Sequence, residues 1–191
     1  MRVTGGTLGG RPLVAPADAR VRPTADKVRQ AIFNILTHND FGTGFSLHGA
    51  RAADLFAGTG AMGIEAISRG CSYCLFVDDS AESRALLRRN VEALSLTGVT
   101  KIWRRDATNL GSMSPGSGGP FDLVFLDPPY RKGLIAPTLE SLVAGEWLAP
   151  NAICVAEMAE EESLPSPAGF ATLDERLYGD TRVVFLRANS G

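Results

Sequence analysis

Three observations predict an α/β domain built on a mainly parallel sheet. From residue 51 onward, short apolar runs alternate with segments of helical period. The first run ends in a glycine-rich turn that opens a helix, and acidic residues recur where successive runs end. Strands separated by helices pair in parallel through right-handed crossovers. At 191 residues, 45% hydrophobic and 21% charged, the chain can hold one such domain with a full core and a short appendage.

The elements follow in order. Residues 1–16 hold extended pieces broken by Gly5-Gly6 and Gly9-Gly10, consistent with a hairpin or arm. A helix follows with Thr24 as N-cap and Asp26 in its first turn; Val28, Ile32, Ile35 and Leu36 repeat on one side. Lys27, Arg29, Gln30 and Asn34 are expected mostly on the other, solvent-accessible side. A glycine-rich connection, 39–49, leads onward, so residues 1–49 form an extension and 50–191 the main domain.

In the main domain, strands are expected at 52–57, 73–78, 101–106, 121–127 and 152–158. Two more, ATLDERLY and RVVFLR, meet at Gly179-Asp180 and are close enough to pair as a hairpin. The total is seven strands with an antiparallel hairpin at one edge. Helices are expected at 61–70, from Ser80 to about Leu96, and near Leu134–Leu148. The segment GSMSPGSGGP (111–120) has almost nothing to bury and is expected to be a mobile loop.

Composition narrows the function classes. No apolar run reaches membrane-spanning length, and the first residues lack the apolar stretch of a secretory signal. A cytoplasmic monomer is expected. Cys71 and Cys74 have C-x-x-C spacing, but no second pair accompanies them and His38 and His48 lie upstream. They read as buried thiols, and no metal is expected. The net charge of −2 is uneven: residues 1–30 sum to +4 and the remainder to −6. A basic end on an acidic body can place a positive patch beside a site that meets phosphates.

Gly58-Thr59-Gly60-Ala61-Met62-Gly63 is literally G-x-G-x-x-G, placed after a strand and at a helix start, with Asp78 twenty residues after Gly58. Two ligands suit it, a dinucleotide or S-adenosylmethionine. Both bring an anion to the helix N-terminus and a ribose to the acid. Asp54, inside the strand, favours the second: it can accept from an ammonium group, whereas it would repel a pyrophosphate. Asp106, ending the third strand, is placed to accept from an adenine amino group. Phe56, beside the loop, joins the cofactor-side set, and Asp79 shares with Asp78 the claim to the ribose. Ligands of open α/β sheets bind at these carboxyl ends.

Asp127-Pro128-Pro129-Tyr130 closes the fourth strand. Two prolines stiffen the loop and remove backbone donors, leaving carbonyls free to accept. An exocyclic amine of a base is a poor nucleophile because its lone pair is delocalised into the ring. The Asp127 carboxylate and Pro128 carbonyl could take both its N–H groups and favour the nitrogen as it turns tetrahedral. Tyr130 offers a face on which an extruded base could stack.

LDPPY behind DLFAGTGAMGIEA resembles the amino-methyltransferases, with their Rossmann-like class I fold and helices on both faces of the sheet. VRPTADKVRQAIFNIL, preceded by a GG-x-x-GG-R-P-L arm, resembles the bacterial 16S rRNA guanine-N2 methyltransferase family of the RsmD type, from Arg2 to Arg187. The resemblance implies methyl transfer from S-adenosylmethionine to N2 of one guanine in 16S rRNA, within a small ribosomal particle. It assigns the cofactor to Asp54, Gly58, Gly60, Asp78 and Asp106 with Ala107, and the guanine to Asp127, Pro128, Pro129 and Tyr130. Arg22, Thr24, Lys27 and Arg29 match the N-terminal block and would line the site mouth or grip RNA. Arg2, Arg11, Arg20, Arg131 and Lys132 complete the RNA-facing candidates. The chain departs at Gln30, where the family usually carries glutamate, and at Val77-Asp78-Asp79-Ser80, where acidic-x-acidic is commoner.

Two other readings use the same residues. A DNA adenine-N6 methyltransferase also carries D-P-P-Y, but such enzymes usually add a region that reads the grooves. A non-catalytic RNA-binding protein could retain the fold.

Overall fold

The computed structural model describes residues 1–17 and 23–189, the side chains of Pro23 and Thr24 excepted. Arg20 and Arg22 therefore lie outside the described residues. After the N-terminal arm comes α1 (Pro23–His38), which begins one residue before Thr24, so that Thr24 stands in the first turn and not at the cap. The main domain runs β1 (Arg51–Leu55), α2 (Ala61–Ser68), β2 (Tyr73–Val77), α3 (Ala81–Ala93), β3 (Thr100–Trp103), β4 (Phe121–Leu126), α4 (Ile135–Ala144), β5 (Leu148–Ala159), β6 (Phe170–Tyr178) and β7 (Thr181–Ala188).

The seven strands form one sheet in the order β3-β2-β1-β4-β5-β7-β6. β1 to β5 pair in parallel, while β7 runs antiparallel to both β5 and β6. The expected sheet with its edge hairpin is therefore present. Side chains alternate between two cores, as strand geometry demands. Ala52, Cys74, Phe76, Phe125 and Val155 pack with α1, α2 and α3 on one face. Ala53, Leu75, Val124, Leu126 and Ala156 pack with α4 and Trp147 on the other. Strand order turns back between β1 and β4, which opens a crevice at their carboxyl ends.

Gly63 lets α2 approach the sheet. A Cβ there would lie 2.6 Å from Cys74 Sγ and against the Phe76 ring. Cys71, Cys74 and Cys154 are buried free thiols, and burial pushes Cys71 up to about 12. They pack as small apolar groups.

Two further expectations fail. The 111–120 segment is pinned despite its composition: Trp147 Nε1 donates to Gly111 O at 2.8 Å, and Tyr73 Oη to Ser117 O at 2.7 Å. Small polar residues order here because neighbouring aromatic side chains supply donors for their carbonyls. On α1, Lys27, Gln30 and Asn34 are exposed, but Arg29 turns inward and is only 3% exposed.

A buried carboxylate receives Arg29. Glu65, on α2, is fully buried and accepts from Thr4 N at 2.9 Å, Gly5 N at 3.0 Å, Arg29 Nε at 3.1 Å and Arg69 Nε at 2.8 Å. Arg29 also pairs with Asp26 and donates to the Arg2 carbonyl. One carboxylate thus joins the arm, α1 and α2. Burial alone would raise its pKa, but the Arg69 hydrogen bond, the Thr4 amide and Arg29 outweigh that and hold it below the ordinary glutamate value.

Adding a methyl in so tight a contact costs about 1–3 kcal/mol, so Gly63→Ala should lower the urea midpoint with an unchanged slope. Glu65→Ala leaves Arg69 and Arg29 short of a buried partner and should cost about 3–5 kcal/mol in the same measurement. A carboxylate with a depressed folded pKa stabilises above its unfolded value, about 4.3, and loses that contribution as pH falls through the folded one. The stability gap between the wild type and Glu65→Gln should therefore narrow progressively below about pH 4.3.

Candidate active site

A cavity of about 730 Å³ opens at the crevice between β1 and β4. Its size falls within the roughly 300–1,000 Å³ of small-molecule sites. The glycine loop, the D-P-P-Y segment, β5, the β6–β7 turn and the N-terminal extension all contribute walls. Met1, Ala25, Val28 and Arg29 form the wall that the Glu65 knot holds in place.

On the loop side, Gly58 and Gly60 have φ of 56° and 82°, left-handed conformations that side chains resist. Phe56 adopts φ 58° although it carries a ring, and it lines the cavity. Such a residue costs on the order of 1–3 kcal/mol and is typical of functional sites. Asp78 fixes the loop by accepting from Gly58 N at 2.9 Å, and its second oxygen accepts from Ser80 N at 2.9 Å. Asp79 is exposed beside it. Asp54 is buried at the cavity wall, with one oxygen accepting from Gly63 N at 3.0 Å. Burial holds its pKa well above the ordinary range, and the charges of Asp127 and Asp78 add to this against the Gly63 amide.

Asp106 and Ala107 lie further along the carboxyl edge, outside the cavity lining. Asp106 is exposed and caps a short turn, accepting from Thr108 N at 2.9 Å and Thr108 Oγ1 at 2.7 Å. The Thr108 hydroxyl and amide together lower its pKa.

Across the cavity, Asp127, Pro128, Pro129 and Tyr130 come together as a single wall. Tyr130 Oη meets Thr181 Oγ1 at 3.0 Å, which fixes the ring from the β7 side. Asp127 is exposed at the cavity wall, where the surrounding walls limit its access to water. Enclosure pushes its pKa up to about 6, even though a hydrogen bond from Glu157 pulls it down. Glu157 went unnoticed in the sequence, as did Tyr178, Asp180 and Thr181, which also line the cavity. The sequence does carry a signal for Glu157: it lies in AICVAEM near the carboxyl end of β5, as Asp54, Asp78 and Asp127 lie at or near the ends of their strands.

The cationic candidates scatter. Arg2, Arg11 and Lys27 are exposed; Arg2 Nη1 donates to Gly10 O at 2.7 Å and Arg11 Nη2 to Ala93 O at 3.3 Å. Arg29 is buried within the Glu65 knot. Arg131 is exposed but paired with Glu161, and its amide donates to Glu162 Oε1 at 2.8 Å; Lys132 is exposed.

The geometry has close counterparts. The family model described as Conserved hypothetical protein 95 matches residues 1–187. A Bacillus subtilis protein, YlbH, provisionally named an rRNA methyltransferase, is 35% identical over 98% of both chains. The Escherichia coli K12 ribosomal RNA small subunit methyltransferase D is 33% identical over 94% of this chain and 85% of its own. Among solved structures, Escherichia coli yhhF, provisionally named a methyltransferase, superposes with a TM-score of 0.81 at 27% identity, over 100% of this chain and 99% of that one. A family match over nearly the whole length, with these identities, places the chain in the Conserved hypothetical protein 95 family, the RsmD family of methyltransferases.

Proposed function

We propose that this protein transfers a methyl group from S-adenosylmethionine to the exocyclic N2 of a guanine in 16S rRNA within a small ribosomal particle. The observation that carries the reading is the arrangement of the cavity. One wall, Asp54, Phe56 and Gly58, suits a cofactor, and the facing wall, Asp127 to Tyr130, suits an amine on a flat base.

The residues present fit the cofactor. Asp54 is an acceptor at the cavity wall for an ammonium group, and the space beside the Gly58 Cα is open. Asp78, held against the loop, keeps lone pairs for ribose hydroxyls, since a carboxylate accepts about four hydrogen bonds. Bound there, S-adenosylmethionine supplies a methyl group on a positively charged sulfur.

Asp127, ionised above about pH 6, accepts one amino N–H, and the Pro128 carbonyl accepts the other. Their shared task is to favour the nitrogen as it gains positive charge, an interaction stronger in the transition state than before it. Tyr130, braced by Thr181, provides the stacking face for a base displaced from its helix. The exposed cations Arg2, Arg11, Lys27 and Lys132, with Arg20 and Arg22, serve the phosphates around that base. The curated relative from Escherichia coli, named for the small-subunit rRNA, supports this substrate over DNA.

Asp127→Ala should lower single-turnover methyl transfer to small-subunit particles by about 10²–10³-fold, the usual cost of a lost charge-stabilising contact. Its affinity for S-adenosylmethionine in a calorimetric titration should stay within a few-fold of the wild type. Undiminished transfer by Asp127→Ala would refute the assignment.

A further inference from the structure

Glu157 faces the same cavity as Asp127 and has no role yet in the reaction. The register of β4 against β5 pairs Leu126 with Ala156, so Asp127 and Glu157 emerge side by side at the sheet edge. Both side chains line the cavity wall, so the register brings two carboxyl groups together at one place. Two ionised carboxylates so placed repel each other, and they join by a hydrogen bond only when one proton lies between them. Resting on the functional reading above, we propose that Glu157 is a positioning residue for methyl transfer. It donates a proton to Asp127, which aims the Asp127 carboxylate at the amine and makes the pair the acceptor of the proton the amine sheds.

The charges around Glu157 place the resting proton on it. Asp127 stands beside it on β4, Asp54 faces it from β1, and Arg29 faces it from α1. Asp180 and Tyr178, at the β6–β7 turn, line the same space. Burial, then the Asp127 charge and hydrogen bond, then Asp54, raise the Glu157 pKa well above the glutamate range; Arg29 opposes them. Of the two groups, Glu157 is therefore the one that holds the shared proton more strongly.

The step balances within this pair. The amine lone pair forms the N–C bond to the methyl group while the C–S bond breaks and its electrons return to sulfur, leaving a neutral thioether. The nitrogen then carries the positive charge and one hydrogen too many. That proton passes to the ionised Asp127, and the doubly protonated pair releases one proton to water at the cavity mouth.

Two measurements decide the matter. Carboxyl-selective NMR of the cofactor-free, full-length chain should show Asp127 titrating near pH 6 and Glu157 above it, as a coupled pair. In Asp127→Asn the Glu157 midpoint should fall, because the charge that raised it is gone. Independent titration of both groups in the ordinary carboxyl range would overturn the proposal. Methyl transfer by Glu157→Gln, whose amide still donates, should stay within about threefold of the wild type. Glu157→Leu, similar in size but without a donor, should lose about tenfold or more in kcat and shift the acid limb above pH 6. Cofactor affinity should hold in both variants. Equal losses in the two, or an unmoved acid limb, would mean a packing role only. If the wild type methylates no RNA, the functional reading fails and takes this role with it. Transfer by a pair that titrates independently defeats this role alone.

Discussion

The Glu65 carboxylate is the interaction on which the site depends. It is fully buried and surrounded by two backbone amides of the arm and the guanidinium groups of Arg29 and Arg69. A charge in that position is tolerable only when every lone pair finds a donor. Meeting that demand draws three sequence-distant segments to one point. The consequence is functional, because the segments so gathered carry Met1, Ala25, Val28 and Arg29 to the cavity wall. Hydrogen bonds to Ser68 and Asn90 and the apolar contacts of Val3, Leu13 and the inner face of α1 also hold the extension over the sheet, but none of them is a buried charge joining all three segments.

Placed this way, the cavity divides into two chemical halves whose carboxylates differ in state. Asp78, just outside the cavity lining, accepts from the amides of Gly58 and Ser80 and so holds the loop in place. Asp54 is buried deeply enough that burial raises its pKa, so a cationic ligand beside it gains a desolvated partner. Asp127 and Glu157 stand side by side at the ends of β4 and β5, and burial raises the pKa of both. Pairs of titratable groups whose environments separate their ionisation often mark the place where protons move during a reaction.

The sheet was legible in the sequence because its signals are local. Each parallel strand is an apolar run ending at an acid or a glycine, and the hairpin pivots on Gly179-Asp180. The glycine loop and D-P-P-Y segment were legible too, because both need residue types that do little else at a strand end. Long-range pairing was not. Arg29 reads as a solvent-facing cation on an amphipathic helix until Glu65, thirty-six residues away, is placed beneath it. Residues 111–120 read as loose because their own side chains bury little; their order comes from donors on Arg51, Tyr73 and Trp147. Glu157 needed the β4–β5 register before its position meant anything.

An exocyclic amine held by Asp127 and Pro128 could belong to adenine or to guanine, and the nature of the product separates the two. The most direct measurement is therefore digestion of rRNA methylated by this protein to nucleosides, with mass-spectrometric identification of the modified one. N2-methylguanosine from 16S rRNA, formed on small-subunit particles and absent with Asp127→Ala, is the predicted result. N6-methyladenosine, or a methyl group found only on DNA, would contradict the account.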